Sequence, residues 1–451
     1  MRGRAAVLSP AAPAPSAGAS TSASAEVDAE ADADGEGASA SASAVRQLPA
    51  WPLMVLLFGF PLWWAAGATP FAPILLAGVM AALMAVRGRI VLVPGIVPWF
   101  AFLAWVAAAA VSLDSATSVL AYGQRAGNLL AVGVFMLYVV NAPTTLPARR
   151  VLAGLLALWV TITVLGIAAI QFPDFRLTTP VGMLLPNFLT QNPLVYDLVF
   201  PPLAEVQQPW GSPEPFNRPS APFPYANSWG VMFVVLTPVV FAAVCAARRR
   251  SVRATLLVGV VLSLWPALET SNRGMFVGLL AAVAYVLFRL FFQGRMGTVA
   301  IVAVVLTAAA AALVRSGAVQ EILDRQLYSD STGGRLNLYR QTWQATLRQP
   351  LLGHATPRME ETIGVSLGTQ GYLWMLMFSY GLVGLGLFLC FLIGAVAKTW
   401  RVTSMAGLWL HSVPVAALAI IPFYGFDAMQ LTVVLLIVAL LLRRRYLRGS
   451  V

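Results

Sequence analysis

The chain has 451 residues, 59% hydrophobic and 10% charged, with a mean hydropathy of +0.78. A soluble domain carries about a quarter charged residues, so this composition excludes an ordinary globular protein and describes one built into a membrane. The formal charge of +11 lies in short arginine clusters between apolar runs, which marks membrane topology and not nucleic-acid binding; the two cysteines, Cys245 and Cys390, also sit in apolar runs and outline no disulfide framework.

Residues 1–48 are Ala, Ser, Pro, Gly and acids, including the run EVDAEADADGEG. Such a segment buries too little apolar surface to fold, and the reading is a disordered tail. It is not a signal peptide, because its small-residue run ASASASA precedes the first apolar stretch, whereas a cleavage site would follow one.

Apolar runs then recur at 51–68, 70–86, 91–112, 119–140, 151–170, 227–246, 254–268, 273–293, 298–314, 371–397, 404–421 and 426–442. Their lengths approach the ~20 residues that span a hydrocarbon core. The expected fold is an all-α polytopic membrane protein of about 12 transmembrane helices over 50–442, closed by a basic tail at 443–451. Alternate connections hold Arg87 and Arg89, Arg149 and Arg150, RRRSVR at 248–253, Arg289 and Arg295, Lys398 and Arg401, and RRRYLR at 443–448. By the positive-inside rule both termini are then cytoplasmic.

That topology puts two long loops, 171–226 and 315–370, on the extracytoplasmic face. The first is rich in proline and aromatics; the second holds six arginines, five acids and His354. Long loops in compact domains are usually functional. Within the second, Gly334 to Gln349 reads as an amphipathic helix with Leu336, Tyr339, Trp343 and Leu347 on one face and Arg340 beside them. Ser331-Thr332-Gly333-Gly334 precedes it as a capping run and Pro350 ends it, so the helix lies along the membrane surface with Arg335 at its N-terminus. Backbone N–H groups, the helix dipole and a guanidinium converge there, an arrangement suited to phosphate oxygens. The bland alternative is an interfacial helix whose arginines snorkel to headgroups.

Arg273 opens an apolar run at its extracytoplasmic end, against the charge bias, and an ionisable group there points to function or to headgroup anchoring. Arg125 lies deeper in its span and needs a partner; Asp114 and Asp427 are the candidate counter-charges.

Three blocks give the chain a resemblance to the bacterial O-antigen ligase and polymerase superfamily. They are Arg218 followed by PFPYAN at 222–227, SNRGMFVG at 271–278, and GGRLNLYRQTWQATLRQPLLG at 333–353 followed by GYLW and YGLVGLGLF. With the span count, the resemblance covers most of the chain after residue 50. It implies a multi-pass protein of the bacterial inner membrane that moves a glycan from a polyprenyl-diphosphate donor to a hydroxyl of a glycan, lipid or protein acceptor. The family's arginines that grip the diphosphate fall on Arg273 and Arg335, with Arg218 and Arg340 beside them. Fixed guanidiniums stabilise the charge gained by a departing diphosphate without a metal, and no cofactor is implied.

One departure matters. Ligases of this family carry a histidine in an HN-x-YL-like block opening the span after the loop, and here Thr369-Gln370-Gly371-Tyr372-Leu373 stands in its place. Neither Thr nor Gln titrates near neutrality. His354 is the substitute base to consider, with Glu360 and Glu361 behind it, and the absence favours the polymerase branch. A small-anion transporter and a non-catalytic cell-envelope assembly factor are the readings from other classes. A transporter would be supported by inverted repeats or by helices interrupted at Gly or Pro, and neither is visible in the sequence.

Overall fold

The computed structural model describes residues 47–208, 215–315, 331–360 and 365–447. The tail expected before residue 47, the basic end after 447 and Glu361 lie outside them, as does the side chain of Arg335.

Each apolar run falls on helix. The first is split into α1 (Trp51–Phe58) and α2 (Phe60–Ala65), because Pro61 in the first turn of α2 cannot donate back to the turn before it. Then come α3 (Ala72–Arg87), α4 (Val97–Ala109), α5 (Ala116–Asn141) and α6 (Ala148–Gln171). The stretch expected as the first loop carries short helices α7 (Pro180–Leu184), α8 (Asn187–Thr190) and α9 (Pro193–Val199), then strands β1 (Ala204–Gln207) and β2 (Phe216–Pro219). Four helices follow in close succession: α10 (Ala226–Ala246), α11 (Arg250–Glu269), α12 (Arg273–Phe292) and α13 (Met296–Arg315). The second loop region holds α14 (Ser331–Arg348), β3 (Arg358–Glu360) and β4 (Val365–Leu367), and the chain closes with α15 (Tyr372–Lys398), α16 (Met405–Ile420) and α17 (Ala428–Tyr446).

The protein is mostly helical, as expected, and two small antiparallel pairs, β1 with β2 and β3 with β4, lie outside the apolar runs. By length and composition, α5, α6, α10, α11, α12 and α15 can each cross a membrane, while α3, α4, α16 and Met296–Ala308 are shorter apolar helices. These helices mark a multi-pass membrane protein.

α10 and α17 form the centre. Every residue of α17 from Met429 to Leu442 is buried, and α10 is buried from Trp229 to Val240. A helix apolar all round belongs inside a bundle. Around this centre α16 packs on α10, α12 and α17, α5 packs on α17 and α3, and α15 packs on α4.

The basic helix ends meet at one end of this bundle. Arg87 at the end of α3 donates to the Asn141 carbonyl at the end of α5 (2.6 Å), and Arg443 near the end of α17 reaches the carbonyls of Val139 (2.9 Å) and Leu146 (2.8 Å). Lys398 donates to Pro94 O at 3.2 Å. Arg289, buried near the end of α12, donates to the carbonyls of Trp400 (2.6 Å) and Val402 (2.8 Å) and lies 4.1 Å over the Trp400 ring. The opposite ends of the same helices, the starts of α12, α15 and α17, carry the candidate site.

Candidate functional site

A segment between α16 and α17, residues 421–427, ties those starts together. The backbone N–H groups of Tyr372 and Leu373, which open α15 and have no partner inside it, donate to Tyr424 O (2.8 Å) and Ile421 O (3.0 Å). The Tyr424 hydroxyl accepts from Gly274 N, in the first turn of α12, at 3.0 Å. Asp427 caps α17 in a reciprocal box with Gln430, whose Nε2 also reaches Ser228 O of α10 at 3.0 Å.

Beside this hub lies a cavity of about 280 Å³. α5 contributes Gln124, Arg125 and Asn128; the PFPYAN run contributes Phe223 and Tyr225; α15 contributes Tyr372 and Tyr380; Asp427 faces in from the start of α17. Trp64, Thr69 and Asp197 add to its polar lining. The hairpin before α10 fixes the PFPYAN run: Glu205 Oε2 accepts from Ala226 N at 2.8 Å and stands 3.9 Å from Arg218 Nη1.

Tyr380 reaches the cavity because α15 is broken directly after it. Gly381 has φ +69° and ψ −177°, so the helical hydrogen bonds lapse there. The loop after α14 enters the break. His354 N and Ala355 N donate to the carbonyls of Phe378 and Ser379 (both 2.8 Å), and Leu382 N donates to Pro350 O (2.8 Å). Trp105 of α4 donates to Tyr380 O at 3.0 Å. Irregular backbone at membrane depth is tolerated where protein satisfies it, and here it is satisfied on both sides.

The cavity wall contains polar atoms without partners. Arg125 Nη1, Asn128 Oδ1, Tyr380 OH and Trp64 Nε1 are buried and have no hydrogen-bond partner among the described residues. Neither counter-charge considered for Arg125 pairs with it. Asp114 pairs with Arg358 at 2.9 Å, and Asp427 lines the cavity without forming a salt bridge among the described residues. Asp197 is held by Arg176 at 2.8 Å. Burial pushes the Tyr225 phenol above its usual range, and the carboxylates of Asp197, Glu205 and Asp427 add to the effect, so it stays a neutral donor near pH 7. Among the described residues no group of His, Cys, Asp and Glu could hold a metal ion.

Of the residues expected to grip a diphosphate, Arg218, Arg273 and Arg340 stand outside the cavity lining. Arg218 on β2 donates from Nε to Thr270 O (2.8 Å), from Nη1 to Gln207 (3.0 Å) and from Nη2 to Asn227 (3.2 Å). It thus ties the PFPYAN block to the turn before Arg273. Arg273 is exposed at the first position of α12, after its cap Asn272. Arg340 is exposed on α14, and Arg335 lies in the first turns of that helix. The expected capping run is itself helical, so α14 begins three residues before the Gly334 expected to open it. Its expected apolar face also divides: Leu336, Trp343 and Leu347 are exposed, while Thr342 and Thr346 are buried toward α15 and Tyr339 stacks on Trp374 of α15 at 4.4 Å.

His354 packs 4.6 Å from the Phe378 ring, and its Nε2 donates to Ala345 O at 3.1 Å. Its Nδ1 is buried without a partner among the described residues. Burial lowers its pKa, the nearby Arg358 and Arg348 lower it further, and the Ala345 hydrogen bond and Asp114 oppose the shift. The imidazole is therefore neutral at pH 7.

Arg125 carried a sequence signal, an ionisable residue within an apolar run. Tyr380, Asn128 and Trp64 did not, because they come into one cavity lining only through the packing of α2, α5 and α15. No family model matches the chain, and no curated protein matches it.

Proposed function

We propose that this protein is a membrane glycan polymerase or ligase of the bacterial inner membrane. It crosses the bilayer about twelve times between residues 50 and 442, keeps both termini cytoplasmic and works at its extracytoplasmic face. One observation carries the reading: the blocks of the O-antigen ligase and polymerase resemblance, far apart in sequence, gather at one end of the bundle. PFPYAN and Tyr372 line one cavity, Arg218 bonds to the turn that opens SNRG, and the loop following α14 fills the break in α15.

In this reading the donor is a polyprenyl-diphosphate-linked glycan and the acceptor a hydroxyl of a glycan, lipid or protein. The acceptor oxygen attacks the anomeric carbon, the bond to the diphosphate breaks, and its electron pair leaves with the diphosphate. Arg273, Arg335 and Arg340 stabilise that growing charge, with Arg218 beside Arg273 as the fourth cation of the grip. The hydroxyl proton passes to a base; His354 is the residue the sequence offers for that role, and the burial of its Nδ1 argues that another group serves. The test is Arg273→Ala and Arg335→Ala, each expected to abolish surface-glycan assembly while membrane insertion is unchanged. A normal glycan ladder from an inserted variant would overturn the diphosphate grip.

A small-anion transporter is the second reading, and one observation favours it: the broken helix α15 beside a cavity that holds Arg125. Anion uptake into proteoliposomes that Arg125→Gln abolishes would support it.

A further inference from the structure

Four side chains that line one cavity each carry a buried polar atom with no partner among the described residues, and their chemistry is selective. Arg125 Nη1 and Trp64 Nε1 can only donate, the Tyr380 hydroxyl can do either, and Asn128 Oδ1 accepts. Tyr380 is wholly buried in the cavity wall. Leaving such groups unsatisfied costs roughly 1–3 kcal/mol each, and more for the charged one, so the wall is made for a polar ligand.

The charges narrow the class. Arg125 is a single cation without an ion-pair partner among the described residues, whereas the carboxyl groups of Asp427 and Asp197 face the same space. A phosphate ester carries about two charges near neutrality, only one of which a lone guanidinium balances, and its remaining oxygens would meet carboxyl oxygens. A monocarboxylate matches Arg125, and hydroxyls on the same molecule can donate to Asp427. Trp64, Tyr372 and Phe426 are in the same lining and give it the aromatic character that suits the apolar face of a sugar ring. The volume, about 280 Å³, lies at the lower edge of the roughly 300–1,000 Å³ typical of ligand pockets, which suits one ring and not a chain.

We propose that the cavity is a subsite for one sugar residue bearing a carboxylate, with Arg125 as its counter-ion and Asn128, Tyr380 and Asp427 contacting its hydroxyls. That the ring is a sugar rests on the glycan-transfer reading. The carboxylate rests on the cavity itself.

The experiment is calorimetric titration of the full chain in lipid nanodiscs with methyl glucuronide, methyl glucoside and inorganic phosphate. Saturable glucuronide binding is expected, with glucoside weaker by about tenfold or more and phosphate not competing. Arg125→Gln should weaken glucuronide by about tenfold or more while Arg125→Lys recovers part of the loss, and Tyr380→Phe should weaken it about threefold without lowering the unfolding temperature. Equal affinity for the two glycosides, competition by phosphate, or unaltered glucuronide binding in Arg125→Gln would overturn the proposal. Should Arg125→Gln fail to fold, unaltered affinity in Tyr380→Phe overturns it instead. Glucuronide binding by a chain that transfers no glycan supports the subsite and defeats the enzyme reading; transfer without glucuronide binding does the reverse.

Discussion

Arg218 and His354, both singled out by chemistry, are also built into the architecture. All three guanidinium nitrogens of Arg218 bond to protein, binding β2 to Gln207, Asn227 and the Thr270 carbonyl. That arrangement makes it a brace holding the PFPYAN run against the entrance to α12. His354 joins the loop to α14 through Ala345 O and buries its other nitrogen in the protein. A general base must reach the proton it takes, directly or through one water. His354→Gln is therefore expected to retain most surface-glycan assembly, measured as ladder length in a strain lacking the native gene. A loss on the order of a hundredfold or more in transfer rate, with the protein folded and inserted, would restore His354 as base. Arg125 was legible as an anomaly in its apolar run; its surroundings were not, since Tyr380 and Asn128 look like ordinary helix residues until the packing brings them together.

The break in α15 governs the site at the level of elements. Hydropathy runs unbroken through 371–397, and nothing in YGLVGLGLF separates Gly381 from Gly386 as the point of interruption. The difference is tertiary: a Cβ on Gly381 would stand 2.0 Å from Leu351 O, whereas one on Gly386 would meet nothing within 4 Å. Gly381→Ala should destabilise the protein by at least the roughly 1–2 kcal/mol of a left-handed residue with a side chain, plus the clash, and should displace Tyr380 from the cavity. Thermal unfolding of the detergent-solubilised protein checks this, with Gly386→Ala expected to behave as wild type. Equal unfolding temperatures for the two variants would count against the inserted loop as what holds the break. α14 carries a related lesson. Its apolar spacing was legible, but which face it buries was decided by threonines and the Tyr339–Trp374 stack, leaving Leu336, Trp343 and Leu347 outward where a lipid interface accommodates them.

For the whole molecule, the apolar runs and arginine clusters were the most legible features, because the bilayer demands long apolar helices and sorts cations by side. Each run is helical, and the basic ends of α3, α12, α15 and α17 meet protein carbonyls at one end of the bundle. The secondary structure of 171–226 was hidden, since proline and aromatic content signals neither the short helices nor the hairpin that braces α10. Two features stand apart in this architecture: exposed arginines, Arg273 at the start of α12 and Arg340 on α14, and an aromatic cavity between α5, α15 and α17 that holds Arg125. We propose that they serve one reaction, charge stabilisation at the leaving group and recognition of the sugar. The most direct measurement is incubation of the purified, reconstituted protein with a polyprenyl-diphosphate-linked oligosaccharide, followed by separation of products by chain length. Longer chains or glycan moved to an added acceptor, lost in Arg273→Ala, are predicted. An unchanged donor, from protein shown to be folded and supplied with glycan, lipid and protein acceptors, would contradict the account.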